Sequence, residues 1–265
     1  MKFSIIQMDI VPGDPEANRI KVKELIQKEV EENNPDTIIL PEMWTTAYTL
    51  PELDEYADVD GEPTIPFIKG LARQHEVNIV AGSIANKKEG GIYNSAYVID
   101  SNGEEVYNYD KVHLVPMLKE EKFLAGGQKP AEVFELDGLK MGLIICYDLR
   151  FPELIRSLAL EGAQVLIIVA EWPLARRDHW RTLQMARAIE NQMYVCSSNR
   201  IGSYDGVDFA GTSMVINPWG DVLAEGSVEE VESLSLELDL ERVKSVRKEV
   251  PIFTSRVPHL YKKEK

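Results

Sequence analysis

Three polar side chains in the sequence have the types that cleavage of an amide bond requires. Cys146 follows the apolar residues 142–145 and can act as a nucleophile. Glu42 follows the apolar residues 38–41, and a carboxylate in such a setting is suited to accept the proton of a thiol. Lys111 supplies a cation for the oxyanion of a tetrahedral intermediate. The combination matches the nucleophile, base and cation of an amidase.

The position of Cys146 is the most informative of the three. The apolar run before it predicts a strand, and residues 147–152 predict a turn that opens a helix. Such an elbow would point backbone N–H groups and the positive end of a helix dipole toward the sulfur, which favours thiolate over thiol. Cys196 also lies in an apolar run and is interpreted as a core residue.

Three sequence blocks place these residues in a recognisable order. They are LPEMW at residues 40–44, YDKVHL at 109–114 and IICYDLRFPE at 144–153. With them the chain resembles the nitrilase (carbon–nitrogen hydrolase) superfamily over almost its whole length. The resemblance implies an α/β fold in the form of a four-layer αββα sandwich with mixed sheets, a Glu-Lys-Cys triad and a homodimer.

The resemblance also implies a role for each residue of the triad. Cys146 would attack the amide carbon, Glu42 would accept its proton and later activate water, and Lys111 and the backbone N–H of Tyr147 would stabilise the oxyanion. Many members of the family have a second acid seven residues before a glycine, and Glu120 has this spacing to Gly127. A second glycine, Gly126, leaves Glu121 as the alternative.

Within the family, the segments EWPLARRDHW (171–180) and ARAIENQ (186–192) resemble the omega-amidase branch. That branch hydrolyses 2-oxoglutaramate and 2-oxosuccinamate to the 2-oxo dicarboxylate and ammonia. A common member has Asn where this chain has Glu171, so that pocket contact departs from the pattern. Arg176 could hold the substrate carboxylate through a bidentate pair. Three aromatic residues fit equally well as pocket walls or as core residues, and they are Trp44, Tyr48 and Trp172.

Two other functions remain open from the residues alone. An N-carbamoyl amino acid or amine amidohydrolase, or another aliphatic amidase, would use the same triad. A catalytically silent binding or scaffold member of the family is an alternative of another class. A nitrile-cleaving enzyme is disfavoured because Tyr147 replaces the tryptophan that usually follows the nucleophile in such members.

The elements that must position these residues alternate between strands and helices. Strands are predicted from short apolar runs at residues 3–10, 37–40, 77–84, 92–99, 141–146, 165–169 and 194–198. Helices are predicted from apolar spacing at residues 18–32, 65–76, 152–161 and 178–192. Two hairpins, 92–99 with 104–109 and 212–217 with 222–225, make the sheets mixed. Glu42, Cys146 and Glu171 each follow a strand, where α/β sheets bind ligands.

Composition excludes several classes of function. The net charge of -15, from 44 acidic and 29 basic residues, disfavours nucleic acid and anionic membranes as partners. The short lysine-rich end at residues 262–265 is interpreted as a solvated tail. No apolar run is long enough to span a membrane, and no signal-peptide pattern opens the chain. We therefore expect a cytoplasmic protein whose residues 1–265 form a single domain.

No motif in the sequence indicates a cofactor. The two cysteines lie 50 positions apart, and the four histidines form no cluster that could complete a metal site. The glycines form neither a GxGxxG motif nor a phosphate-binding loop. We expect catalysis on a small amide without metal, nucleotide or flavin.

Overall fold

The computed structural model describes residues 1–261, so the predicted solvated tail lies outside the described residues. Two mixed sheets form the centre of the molecule. The first contains β1 (Lys2–Gln7), β2 (Thr37–Ile39), β3 (Asp58–Val59), β4 (Asn78–Lys88), β5 (Gly91–Ile99), β6 (Glu105–Asp110) and β15 (Glu232–Glu237). The second contains β7 (Phe134–Leu136), β8 (Leu139–Ile145), β9 (Val165–Ala170), β10 (Tyr194–Asn199), β13 (Met214–Ile216) and β14 (Val222–Glu225). A separate hairpin pairs β11 (Ser203–Tyr204) with β12 (Val207–Asp208).

Four longer helices cover the two sheets. They are α1 (Pro15–Asn33), α3 (Thr64–His75), α4 (Pro152–Leu160) and α5 (Arg177–Asn191). The helices α1 and α3 contact the first sheet, and α4 and α5 contact the second. Two shorter helices are α2 (Leu53–Tyr56) and α6 (Glu241–Glu249). The order helix, sheet, sheet, helix confirms the predicted four-layer αββα sandwich.

Both sheets combine parallel and antiparallel neighbours. The order in the first is β15-β1-β2-β4-β5-β6, with β1, β2 and β4 parallel and the outer strands antiparallel. The order in the second is β14-β13-β10-β9-β8-β7, with β8, β9 and β10 parallel. Parallel strands connected through helices are buried on both faces, which explains the apolar runs at residues 141–145 of β8 and 165–170 of β9.

The alternation of side chains along a strand divides the core into layers. In β2, Ile39 points toward the second sheet and packs in the cluster that contains Leu143 of β8. Its neighbour Ile38 packs on the other side, with Val22 of α1 and Ile68 of α3. Because successive side chains of a strand point to opposite faces, one short strand serves both layers.

Most of the predicted elements are present, with differences at their ends. All four predicted helices and both hairpins form, and the strands differ from their predicted bounds by a few residues. Two elements were not predicted from the sequence. Strand β15 lacks an apolar run because its residues are polar or only partly buried, and helix α6 consists mostly of charged residues. No helix among residues 1–261 has the length and apolar character needed to cross a bilayer.

Candidate active site

A tight contact between two neighbouring strands positions Glu42. After β2, the chain from Leu40 onward folds against β4, where Ser83 N donates to Pro41 O at 3.2 Å and Ser83 Oγ accepts from Met43 N at 3.0 Å. Gly82 has φ +60°, and a Cβ there would lie 1.9 Å from Pro41 O. Only glycine tolerates both the dihedral angle and the approach.

The Glu42 carboxylate is fully buried and accepts four hydrogen bonds. Its Oε1 accepts from Tyr48 Oη at 2.7 Å, Asn94 Nδ2 at 2.8 Å and Lys111 Nζ at 3.1 Å. Its Oε2 accepts from the backbone N–H of Glu171 at 2.7 Å. The contact with Glu171 crosses from one sheet to the other, so the carboxylate is fixed by both sheets.

Lys111 lies between two buried carboxylates. Its Nζ is 3.1 Å from Glu42 Oε1, 3.2 Å from Glu120 Oε1 and 2.8 Å from the Tyr48 hydroxyl. Burial alone would lower the pKa of Lys111, but the charges of Glu42 and Glu120 outweigh it and hold the pKa above its usual value. The ammonium group is therefore charged. Glu120 is buried whereas Glu121 is exposed, so the geometry favours Glu120 as the second acid.

Cys146 lies directly after β8 and has a left-handed backbone conformation with φ +45°. It begins a 3₁₀ helix of five residues, Cys146–Arg150, and α4 begins only at Pro152. Burial and the negative charge of Glu42 raise the pKa of the Cys146 thiol well above its usual value, although Lys111 opposes the shift. The expectation of a dipole-stabilised thiolate is wrong, because desolvation and a carboxylate dominate and no long helix starts at the sulfur.

Asp148 joins the segment that carries Lys111 to the segment that carries Cys146. It was not among the residues predicted from the sequence. Its Oδ2 accepts from Tyr109 Oη at 2.9 Å and from Ile145 N at 3.1 Å. Its Oδ1 accepts from His113 N at 3.2 Å and lies 2.7 Å from His113 Nδ1. Tyr109 and His113 flank the buried lysine, and Ile145 precedes Cys146. The position of Asp148 within the cysteine block was the available signal.

Glu171 forms a buried ion pair that the sequence reading also missed. Its Oε2 lies 2.9 Å from Nη1 of Arg200, which is fully buried and whose Nη2 lies 2.9 Å from Asp9 Oδ1. The other oxygen of Glu171, Oε1, is buried and has no hydrogen-bond partner among the described residues. Burial raises the pKa of Glu171 to about 8, although Arg200 opposes the shift. Arg200 directly follows β10, just as Glu171 directly follows β9. Arg200 could therefore have been predicted, because side chains of α/β binding sites lie at the carboxyl ends of strands.

The site opens into a cavity of about 930 Å³ that contains most of the residues predicted to bind substrate. Tyr48, Cys146, Tyr147, Glu171, Trp172 and Arg176 all line it, together with Arg150, which was not predicted. Trp44 does not. Its indole lies in the core between the first sheet and its helices and donates to Ala81 O. Of the two alternatives for Trp44, core packing is therefore correct and a pocket wall is not.

Two arginines give the cavity a positive region. The Arg150 guanidinium lies 4.6 Å from the centre of the Trp172 ring, and Arg176 is half-buried after the same tryptophan. Within the described part of the chain, neither guanidinium forms an ion pair with a carboxylate. Two such cations in a largely apolar cavity can hold an anionic group of a ligand.

The reactive groups come from two facing sheets. Glu42, Asn94 and Lys111 belong to the first sheet or follow its strands, whereas Cys146 and Glu171 follow strands of the second. The convergence of strand ends that the sequence indicated is therefore real, but it spans two sheets. A thiol, a carboxylate and a charged ammonium in one buried cluster can carry out nucleophilic acyl transfer.

Comparison with known proteins gives concordant findings. Residues 2–248 match the family model described as carbon-nitrogen hydrolase. The chain is 45% identical over 263 residues to 2-oxoglutaramate amidase from Bacillus subtilis (strain 168), covering 98% of this chain and 100% of that protein.

Two solved structures have the same fold. Nit3 from Saccharomyces cerevisiae, a member of branch 10 of the nitrilase superfamily, has a TM-score of 0.88 at 27% identity, covering 95% of this chain and 94% of that one. A mutant amidase from Nesterenkonia sp. AN1, with acrylamide added to its active-site cysteine, has a TM-score of 0.83 at 25% identity, covering 96% and 99%.

Proposed function

The chain belongs to the carbon–nitrogen hydrolase family, and we propose that it hydrolyses the primary amide of 2-oxoglutaramate and 2-oxosuccinamate to carboxylate and ammonia. The observation that carries this proposal is the buried thiol, carboxylate and ammonium cluster at a cavity with two arginines free to bind an anion. The likeness to a 2-oxoglutaramate amidase supports the choice of acyl group.

In the proposed reaction Cys146 attacks the amide carbon as its thiol proton passes to Glu42. The high pKa of the thiol requires this base, because little thiolate forms without it. Lys111 Nζ and the backbone N–H of Tyr147 stabilise the oxyanion. The C–N bond then breaks, Glu42 returns the proton to the nitrogen, and ammonia leaves a thioester on Cys146.

Water completes the cycle through the same residues. Glu42 removes a proton from water, the hydroxyl adds to the thioester, and the C–S bond breaks with return of that proton to the sulfur. Glu120 acts as the second acid of the site, since its Oε1 fixes Lys111 and its Oε2 accepts from Val115 N at 2.8 Å. Lys111 is thereby held from two sides throughout the reaction.

Arg150 and Arg176 bind the carboxylate at the far end of the substrate in this proposal, while Trp172 and Tyr48 form the walls beside the acyl chain. The arginines are the cations of the cavity without a carboxylate partner among residues 1–261. Arg177, next in the chain, instead pairs with Glu225 at 3.5 Å and does not line the cavity. It therefore provides a matched control.

The decisive experiment measures ammonia release from 2-oxoglutaramate by the wild-type protein and by Cys146→Ala. The same assay is made with four other compounds, namely glutamine, asparagine, a nitrile and an N-carbamoyl amino acid. Selective turnover of the 2-oxo amide, lost in the variant, is expected. Release of carbon dioxide with ammonia from the carbamoyl compound alone would identify the carbamoylase instead, and a Cys146 thiol inert to iodoacetamide would favour a silent binding protein.

Separate alanine variants of Arg150 and Arg176 test whether these residues bind the substrate carboxylate. Loss of a charge-assisted hydrogen bond should raise KM about tenfold or more in Arg150→Ala and Arg176→Ala. Arg177→Ala should keep the wild-type KM. An unchanged KM in both cavity variants would remove these residues as the carboxylate site.

We further propose that the chain forms a single hydrolase domain that assembles as a homodimer and works in the cytoplasm. Two free, buried cysteines suit a reducing compartment, and the family match extends over residues 2–248. Light scattering coupled to size-exclusion chromatography tests the assembly. A mass near 30.0 kDa, that of one chain, would contradict the dimer.

A further inference from the structure

The two oxygens of the Glu42 carboxylate face different halves of the molecule. Oε1 accepts from three side chains that belong to the first sheet or follow its strands, namely Tyr48 at 2.7 Å, Asn94 at 2.8 Å and Lys111 at 3.1 Å. Among residues 1–261, Oε2 accepts only from the backbone N–H of Glu171 at 2.7 Å, which directly follows β9 of the second sheet. The carboxylate therefore has one crowded oxygen and one oxygen with room for another contact.

The number of donors decides which oxygen of Glu42 can take a proton. A carboxylate oxygen has two lone pairs, and three donors already share those of Oε1. A proton could reach Oε1 only after one of these donors had moved away. Oε2 keeps one lone pair that no donor of the described residues uses. It can therefore act as a base without rearrangement of the site.

Oε2 is also directed toward the sheet that carries the thiol. Strands β8 and β9 are parallel neighbours, and Ile145 pairs with Val169 at their ends. The thiol of Cys146 comes directly after the first of these residues, and the N–H of Glu171 comes two positions after the second. Both groups therefore lie at adjacent strand ends. Burial and, next to it, the charge of Glu42 raise the pKa of the Cys146 thiol, so the carboxylate lies within electrostatic reach of the sulfur.

Asn94 is the donor to Oε1 whose side chain serves Glu42 alone. It is fully buried, and its NH₂ group must face Glu42 because a carboxylate only accepts, which leaves Asn94 Oδ1 without a donor among residues 1–261. Tyr48 by contrast also accepts from Lys111 Nζ at 2.8 Å. Removal of the Asn94 amide therefore loosens the carboxylate without removing a contact of the ammonium group.

We propose that Glu42 Oε2 takes the proton of the Cys146 thiol, and that Asn94 and Tyr48 are positioning residues that hold Oε2 toward the sulfur by occupying Oε1. The inference rests on the proposed function, because it assumes attack by Cys146 on an amide. As the S–H bond breaks, an O–H bond forms on Oε2, a sulfur electron pair forms the C–S bond and the carbonyl π pair moves to oxygen. Oε2 then returns the proton to the amide nitrogen, which leaves with the electron pair of the C–N bond.

Asn94→Ala tests the proposal by removing one donor from Oε1. A carboxylate that can rotate presents its base to the thiol less often. We therefore expect kcat per Cys146 thiol that iodoacetamide can label to fall about tenfold or more, with KM within about threefold of the wild-type value. The decrease of kcat in D₂O should become larger, because proton transfer through Glu42 becomes slower relative to the other steps.

Asn86→Ala is the matched control. Asn86 is also a fully buried asparagine of the first sheet, and its side chain donates to Tyr97 Oη at 2.7 Å and accepts from Gly61 N at 2.8 Å. Loss of these hydrogen bonds should lower the melting temperature. The value of kcat per labelled thiol and the D₂O effect should both stay within about twofold of the wild type, since neither partner contacts a reacting group.

A wild-type kcat in Asn94→Ala would overturn the proposal. A lower kcat with the D₂O effect of the wild type would also overturn it, because damage to the fold alone removes active molecules without slowing proton transfer. If Asn94→Ala does not fold in a thermal melt, Tyr48→Phe must show the larger D₂O effect, and a wild-type effect there would refute the inference. If the wild type prefers another amide, the same comparison uses that amide, which separates this inference from the choice of acyl group.

Discussion

Asp148 accepts a hydrogen bond from the Tyr109 hydroxyl at 2.9 Å and so joins the strand before Lys111 to the turn that begins at Cys146. The side chain of Tyr109 lies in the core between the sheets. Burial raises the pKa of its hydroxyl group well above the usual range, so the hydroxyl keeps its proton and remains a donor. Together with the two contacts to His113, this bond fixes the distance between the ammonium and the sulfur from outside the cavity.

Asp148→Asn should therefore lower kcat about tenfold to a hundredfold with little change in KM, since small misplacements of reacting groups are costly. The asparagine NH₂ group cannot accept from Ile145 N, which releases the strained Cys146 turn. Steady-state kinetics on the best amide provide the measurement. Tyr109→Phe, which removes one donor, should cause a smaller loss of kcat. An effect on KM alone would contradict a positioning role.

Glu120→Gln and Glu121→Gln form a matched pair. Glu120 is buried against Lys111, so its neutralisation should lower kcat about tenfold or more. Glu121 is exposed, and Glu121→Gln should stay within about twofold of the wild type. Comparable losses in both variants would contradict the assignment of Glu120 as the second acid.

Glu42→Gln should make Cys146 easier to alkylate at neutral pH. Burial is the largest cause of the raised thiol pKa and the charge of Glu42 is the next, so removing that charge lowers the pKa and increases the thiolate fraction. The rate of iodoacetamide labelling as a function of pH measures this. The midpoint should move to lower pH in Glu42→Gln, even though turnover is lost. A midpoint at the wild-type pH or above it would contradict the electrostatic account.

Glu171 should make stability depend on pH. Its pKa is about 8 in the folded protein against 4.5 for an ordinary glutamate, so its contribution is fully present below pH 4.5 and is lost as pH rises through about 8. As pH rises through this interval, the unfolding free energy of the wild type should therefore fall relative to that of Glu171→Gln. Urea unfolding at several pH values tests this, with Glu153→Gln as the control. A difference that is independent of pH would contradict the raised pKa.

Gly82→Ala should damage stability and activity together. The new Cβ would meet Pro41 O at 1.9 Å, which forces the backbone beside Glu42 to shift and costs about 1–3 kcal/mol. A Cβ added at Gly70, in α3, would meet no atom within 4 Å, and Gly70→Ala should be neutral or stabilising. Thermal melts and kcat distinguish the two. Wild-type kcat in Gly82→Ala would contradict the link to Glu42.

The sequence predicted the residues that follow strands but not the contacts between sheets. Glu42, Lys111 and Cys146 could be found because each lies in a short block with a distinctive local pattern. The contact of Asp148 with Tyr109 and the link from Asp9 to Arg200 could not be found, because each depends on how the two sheets face each other. The contact of Asn94 with Glu42 depends instead on how distant segments pair within the first sheet. The protonation of Cys146 was mispredicted for the same reason, since burial is a property of the folded molecule.

The division of the active site between two sheets also suits the chain to fragment complementation. A cut in the exposed segment around Gln128 and Lys129 would leave Glu42, Lys111 and Glu120 on one fragment and Cys146 and Glu171 on the other. Neither fragment alone would hold a complete set of reacting groups. The strand β15 on the second fragment would pair with β1 on the first, so ammonia release would report the reassembly of the two halves.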